Sequence, residues 1–471
     1  MRLSELKAVG NRNVRVSLVY TALYSVAAGI WGTVCLSGYL QGMPGDPGQK
    51  NFRVGLAEGL QGTVQAVAAL PSGVMADKFG REMMLKFACF VGLVAVGCCI
   101  VTLHMGAKLD KDKDSDGTSE FILMCFSLCL FGLFDGSSSG ASEAIFHDSI
   151  ETSERTSVTT LKFVTRVFFR AAGPVISVVL FYALGDAWTR GELRTVFYVG
   201  VSLSAIPALL LLCFRDSSTL GAESDAVRLE DPDACFDITQ SPYVALADDA
   251  GDLEVEEDPL VLEQLGNSSF EVAKYRIPRI VLMSDVFFGL ASGMTIKFFP
   301  LFFKEEVQMS PASVNWIYVV SPMCVVSLSI LANRLTATFG RVRVPLVFSS
   351  SGICLLLLMW YMGHELWQNK AAIVPIFIAR TALMNCCSPI RKSILIDFVN
   401  KEARARWSSM DSVTQFSWSG SAVLGGLLVD KYGYGSSFLA TALVQIAALS
   451  TFGSLLYYRQ IIDGVHRTGV N

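Results

Sequence analysis

The chain has 471 residues, of which 52% are hydrophobic and 17% are charged, whereas soluble domains are about a quarter charged. A water-soluble fold could not bury so much apolar surface, and no stretch is composed like a second, independent core. The net charge of −4 conceals an asymmetry, because the segment from Asp216 to Ala273 holds sixteen acidic residues and a single base, Arg228. We predict that this acidic segment is a linker that does not fold alone, with a regulatory interaction segment as the alternative.

The cysteines and histidines do not have the spacing of a metal site, a disulfide framework or a catalytic site. Eleven of the 12 cysteines lie in or beside apolar runs without zinc or disulfide spacing, and the four histidines are scattered. No Gly-x-x-x-x-Gly-Lys-Ser/Thr loop indicates the use of ATP, and the excess positive charge outside the acidic segment lies on loops. The sequence therefore predicts no enzyme, no cofactor, no metal site and no nucleic-acid partner.

Apolar runs of about 20 residues, the length that crosses a bilayer core, recur from near Val14 to near Leu456. In chain order the twelve predicted spans are 14–41, 54–77, 83–105, 120–143, 158–184, 194–214, 277–302, 312–335, 344–363, 371–395, 409–430 and 435–458. The domains that follow are an N-terminal six-helix bundle at 1–214, an acidic linker at 215–276, a C-terminal six-helix bundle at 277–460 and a tail at 461–471. The chain is thus predicted to be an all-α, multi-pass protein in contact with membrane lipid.

Lysine and arginine are unevenly divided between the two sets of loops. With the N-terminus placed in the cytoplasm, the cytoplasmic segments hold 24 basic residues and the opposite segments hold 10. Cytoplasmic loops carry such an excess in membrane proteins. We therefore predict that both termini and the acidic linker are cytoplasmic.

A sequence motif links the second predicted span to the third. It reads Gly73-Val74-Met75-Ala76-Asp77-Lys78-Phe79-Gly80-Arg81 and resembles the signature loop of the major facilitator superfamily. Gly73 would allow close helix approach and Gly80 a tight reversal, while Lys78 and Arg81 would hold the loop in the cytoplasm. The resemblance implies that Asp77 latches the cytoplasmic side against the start of the eleventh helix, near Ser408 to Asp411.

Two internal echoes extend the resemblance over most of the chain. Phe79-Gly80-Arg81 recurs as Phe339-Gly340-Arg341, and the spacing of Gly73, Asp77 and Gly80 recurs in Gly426-x-x-x-Asp430-Lys431-Tyr432-Gly433. The superfamily is built from two six-helix halves, each with inverted three-helix repeats. The implied fold is twelve transmembrane helices in two pseudo-symmetric six-helix bundles.

Ionisable residues inside the spans are the candidate functional residues, because a charge at a helix centre costs about 2.5–3.5 kcal/mol on insertion scales and needs a partner or water. The main candidates for substrate binding or coupling are Asp135, Arg170, Asp285 and Arg380, and the weaker ones are Glu58, Arg166 and Lys297. The resemblance places Asp135, Asp285 and Arg380 on helices that line a central cavity.

These charges allow two interpretations. Either they form structural ion pairs, with Asp135 between Arg166 and Arg170, or Arg170 and Arg380 create an electropositive cavity for an anionic solute. Asp285 is a candidate for binding and releasing a proton, and Lys297 is placed to snorkel to the membrane surface.

The leading functional hypothesis is a secondary transporter that moves a small solute by alternating access, with proton coupling left open. The alternative is a non-transporting receptor or regulatory subunit on the same fold. The two differ in one observable, since only the transporter produces flux.

Overall fold

The computed structural model describes residues 10–110, 117–151, 155–220, 259–398 and 404–468. The helices of the first half are α1 (Arg12–Trp31), α2 (Val34–Gln41), α3 (Lys50–Phe79), α4 (Arg81–Leu109), α5 (Thr118–Asp148), α6 (Arg155–Leu184), α7 (Arg190–Leu203) and α8 (Ala205–Leu210). Those of the second half are α9 (Pro259–Ile296), α10 (Phe299–Glu305), α11 (Pro311–Phe339), α12 (Arg343–Gln368), α13 (Lys370–Asn385), α14 (Ser388–Asp397), α15 (Arg404–Gly453) and α16 (Arg459–Thr468).

Ten helical segments in the described ranges are long and apolar enough to cross a membrane. An eleventh crossing is α3, whose 30 residues exceed the span length although Glu58, Gln61 and Gln65 lower its hydropathy. The last of the ten segments, Phe416–Asp463, supplies two crossings because α15 reverses at Gly433, where φ is 80°. Glycine adopts this left-handed backbone without a Cβ clash. The predicted fold of twelve transmembrane helices in two bundles is confirmed.

Four predicted spans are interrupted in the structure. The first is divided at Gly32 into α1 and α2, the sixth at Ser204 into α7 and α8, the seventh at Lys297 into α9 and α10, and the tenth after Asn385 into α13 and α14. The breaks in the first and seventh spans occupy equivalent places in the two bundles, which agrees with the pseudo-symmetry. Hydropathy indicates the apolar length of a span but not where its helix breaks, so these breaks were not predicted.

The start of the seventh helix differs from its prediction. Helix α9 begins at Pro259, well inside the predicted linker at 215–276, because proline suits a first helical turn. Residues 221–258, the larger part of that predicted linker, lie outside the described ranges.

Apolar packing differs between the two ends of the molecule. We call the end where α1 begins the terminal face and the other end the opposite face. On the opposite half, one cluster of buried residues contains members of both bundles, among them Tyr39, Phe197, Phe299 and Phe302. On the terminal half the clusters of described residues are separate, one in the C-terminal bundle and two in the N-terminal bundle. Within the described ranges, the two bundles therefore share a core only near the opposite face.

Candidate functional site

Two aspartates join the bundles at the opposite face by capping helices of the other bundle. The carboxylate of Asp430 accepts hydrogen bonds from the backbone N–H groups of Asn51 (3.0 Å) and Phe52 (2.7 Å) at the start of α3. Asp186 accepts one from the N–H of Ala312, 2.8 Å away at the start of α11. First-turn N–H groups have no partner within their helix, and negative charge is favourable there. The two contacts are pseudo-symmetric, since each joins the end of one bundle's fifth helix to the start of the other's second.

A polar network adds to this closure. The ammonium of Lys304 donates to Oε1 of Gln41 over 2.7 Å, and Nε2 of Gln41 donates to Glu305 over 2.9 Å. The indole N–H of Trp188 donates to the carbonyl of Met309 at 2.8 Å. Each of these hydrogen bonds crosses between the bundles, so the closed face depends on several independent polar contacts.

Helices α3 and α15 approach closely through small residues. A Cβ added at Gly59 would lie 2.8 Å from Cγ2 of Val423, and one at Gly55 would collide with the backbone carbonyl of Ala422. Small residues permit such helix contacts in lipid. The bundles are thus in backbone contact along the opposite half of these helices.

Glu58 and Lys297 form an ion pair between the bundles, 2.7 Å apart, although the sequence linked neither to the other. Their side chains are 5% and 16% exposed, and the Lys297 ammonium also lies over the ring of Trp418 at 5.3 Å. Glu58 is eight residues into α3, about 12 Å from its start. The expectation that Lys297 snorkels is therefore wrong, because its charge is neutralised inside the protein.

The signature loop makes its contacts within the N-terminal bundle. Arg81 forms an ion pair with Asp148, and the N–H of Glu82 donates to Asp216 over 3.1 Å. Gly80 has φ of 92° as the predicted reversal requires. The close approach predicted at Gly73 is absent in this conformation, since a Cβ there would meet no described atom within 4 Å.

The predicted latch between Asp77 and the start of the eleventh helix involves side chains that the structure does not describe. The side chains of Asp77 and of Ser408 to Asp411 lie outside the described residues. In the other half, the echo of the loop repeats the cap, as the N–H of Arg341 donates to Asp463 over 3.0 Å.

The charges of the fourth and fifth spans are not paired as the structural interpretation expected. The hydroxyl of Tyr24 donates to Asp135 over 2.6 Å. Arg166 is 3.2 Å from Glu143, not from Asp135. Arg170 is exposed and forms no ion pair within the described residues. Asp135 therefore does not bridge the two arginines.

Asp285 and Arg380 have contrasting surroundings in the C-terminal bundle. Asp285 lies 3.2 Å from Nε of Arg391, a residue of α14 that the sequence did not single out. Arg380 is 6% exposed, and no carboxylate of the described residues lies within ion-pair distance. Its guanidinium stands over the ring of Phe299 at 5.3 Å.

The sequence did not assign roles to several of these partners. In the sequence, Asp430 stood out only as part of the echo of the signature loop. Asp186 is an acidic residue after an apolar run and was not singled out. Trp418 was visible only as an aromatic residue within a span. Tyr24 and Arg391 carry no local signal, because their partners are distant in sequence.

Twelve membrane helices form two pseudo-symmetric bundles, whose described residues are joined at one face and separate at the other. This architecture, with ionisable side chains between the bundles, is that of a membrane transport protein. The sequence profile of the Major Facilitator Superfamily matches residues 16–259 and 281–462. The chain belongs to this superfamily.

Solved structures with this fold cover nearly the whole chain. The partially occluded, inward-open xylose transporter of E. coli is 11% identical, with a TM-score of 0.63 over 94% of this chain and 99% of that one. A bacterial homologue of the iron transporter ferroportin, inward-facing, is 12% identical, with a TM-score of 0.59 over 93% and 99%. A human organic anion transporter is 14% identical, with a TM-score of 0.56 over 94% and 99%. A comparison with curated protein sequences finds no match.

Proposed function

We propose that this protein is a secondary transporter that moves a small solute by alternating access, and that this conformation is closed at the opposite face and open at the terminal face. The observation that carries the proposal is the one-sided closure. The hydrogen bonds and the ion pair described above between residues of the two bundles lie in the opposite half, as in the caps of Asp430 and Asp186. The shared apolar core lies in the same half.

The direction of opening follows from the loop charges. With both termini in the cytoplasm, as the lysine and arginine distribution predicts, the conformation is inward-open. In the proposed cycle, the bundles rock so that the contacts of the opposite face break. The signature loop, with Gly73, Asp77, Gly80 and Arg81, then latches the terminal face.

For the driving force, we place proton coupling at Asp135. Its carboxyl group is partly buried in a span and bonded to the neutral hydroxyl of Tyr24, without a cation among the described residues. A charge inside a span needs a partner or water, and a proton is a partner that this carboxyl group can take up and release. Asp285 is the weaker candidate, because Arg391 already neutralises it.

The test is uptake by the purified protein in proteoliposomes, with anionic, neutral and cationic solutes, with and without an imposed proton gradient. We expect saturable flux, whereas binding without flux in every class would contradict transport and favour a receptor.

A variant separates transport from coupling. Asp135→Asn should keep solute exchange across the membrane but lose accumulation driven by the proton gradient. Unchanged accumulation in this variant would remove the coupling role from Asp135 while leaving transport intact.

A further inference from the structure

Arg380 is an uncompensated cation inside the C-terminal bundle. Arg380 is 6% exposed, and its Nε is buried without a hydrogen-bond acceptor among the described residues. No described carboxylate forms an ion pair with it. An unpaired charge buried at membrane depth costs several kcal/mol, so a cation in this state can bind a partner that the described residues do not provide.

Its surroundings make the missing partner specific. The guanidinium stands 5.3 Å from the ring centroid of Phe299, and the rings of Phe377 and Phe438 lie 4.5 and 5.4 Å from that of Phe299. The guanidinium of Arg380 therefore packs against a cluster of aromatic rings. A guanidinium held against such a cluster presents its donors in a fixed plane, which suits the two oxygens of a carboxylate or phosphate.

The position links this charge to the boundary between the bundles. Phe299 begins α10, two residues after Lys297 in the break of the seventh span. Lys297 reaches across to Glu58 in the other bundle. Two cations, Lys297 and Arg380, thus lie beside this break, and Glu58 neutralises only Lys297 among the described residues. A net charge of +1 therefore remains next to the contacts that close the opposite face.

We propose that Arg380 binds the transported solute, and that the solute is a small organic anion whose carboxylate or phosphate pairs with the guanidinium while its apolar part lies on the Phe299 ring. This assignment rests on the proposed transport function. Arg170 of the other bundle, which is exposed and has no ion pair within the described residues, is not needed for it.

The first test does not depend on knowing the solute. In ligand-free protein in lipid nanodiscs, Arg380→Leu should keep or raise the unfolding temperature, because an apolar residue replaces an unpaired buried charge. The matched control is Arg391→Leu, which removes an arginine of the same predicted span and breaks its ion pair with Asp285. That control should lower the unfolding temperature. Equal losses in the two variants would overturn the proposal, since Arg380 would then be structural.

The second test uses charge-matched probes. Uptake into proteoliposomes and the ligand-induced rise in unfolding temperature are measured for benzoate, benzamide and benzylamine, and for further acid, amide and amine triples. We expect effects from acids alone, lost in Arg380→Leu and at least tenfold weaker in Arg380→Lys, since an ammonium lacks the planar donor pair.

The possible outcomes distinguish a failure of the Arg380 anion site from a failure of the proposed transport function. Uptake of amides or amines that persists in Arg380→Leu would overturn the anion site and leave transport standing. Absence of flux in every class, with acids still binding through Arg380, would contradict transport but retain the site. If no probe binds and Arg380→Leu is as unstable as Arg391→Leu, the anion site is overturned.

Discussion

The two faces of the molecule both have helix caps made by aspartate, but the caps stabilise different things. Each face has two pseudo-symmetric carboxylates that accept hydrogen bonds from backbone N–H groups near the start of a helix. At the terminal face, Asp216 and Asp463 cap helices of their own bundles. At the opposite face, Asp186 and Asp430 cap helices of the other bundle. The first pair stabilises each bundle as a rigid unit, whereas the second pair stabilises one arrangement of the two units.

The largest expected effect comes from the buried ion pair of the closed half. Glu58→Gln leaves Lys297 buried without a counter-charge, which should destabilise the closed face by about 3 kcal/mol. The measurement is the distance between spin labels at Gln49 and Glu365, exposed residues of the opposite face. The labels need cysteine-independent chemistry, because the chain has 12 cysteines. A longer distance is expected. The double reversal Glu58→Lys with Lys297→Glu should restore the short one, and an unaltered distance in Glu58→Gln would show that the pair does not hold the face closed.

The next effect tests the caps directly. Asp186→Ala combined with Asp430→Ala should cost about 2 kcal/mol of closure, since losing one helix cap typically costs about 1 kcal/mol. The label distance should lengthen. The matched variant, Asp216→Ala with Asp463→Ala, should lower the unfolding temperature without changing the distance. If both double variants open the face equally, the contrast between the faces is wrong.

A smaller effect is expected from the helix contact. Gly55→Ala pushes a Cβ against the carbonyl of Ala422, and overpacking of this kind costs about 1–3 kcal/mol. The fraction of closed molecules in the label measurement should fall. Gly420→Ala lies on the partner helix α15, with no described atom within 4 Å of the added Cβ, and should leave the fraction unchanged. A decrease in both variants would point to a general effect of replacing glycine in these helices instead.

The smallest effect concerns one hydrogen bond. Trp188→Phe removes the donor to the Met309 carbonyl while keeping an aromatic ring beneath Lys304. The loss should be about 1 kcal/mol of closure, visible as a several-fold change in the ratio of closed to open molecules. No change would mean that water replaces the indole at no cost.

The sequence predicted the parts of this molecule that depend on local pattern. Span length and hydropathy gave twelve helices, and the Gly-Asp spacing gave the superfamily. The helix breaks were not predicted, because Gly32 and Lys297 lie within runs whose apolar content does not change there.

The candidate site was predicted as a set of residues but not as a set of pairs. Glu58 and Lys297 were both weak candidates, yet 239 positions separate them, and nothing local indicates that they meet. Asp285 and Arg380 are similar in sequence terms, each being a charge within a span. Their difference arises from Arg391, which lies near one and not the other.

The caps of Asp186 and Asp430 also make closure visible in time. The N–H groups of Asn51, Phe52 and Ala312 lie in first helical turns, where no carbonyl of their own helix can protect them. Their hydrogen-bond acceptors belong to the other bundle. Each time the face opens, these three amides meet water and can exchange their protons for deuterons. Their exchange rates would therefore count openings of an unlabelled, wild-type molecule, and a bound solute that holds the face shut would slow all three together.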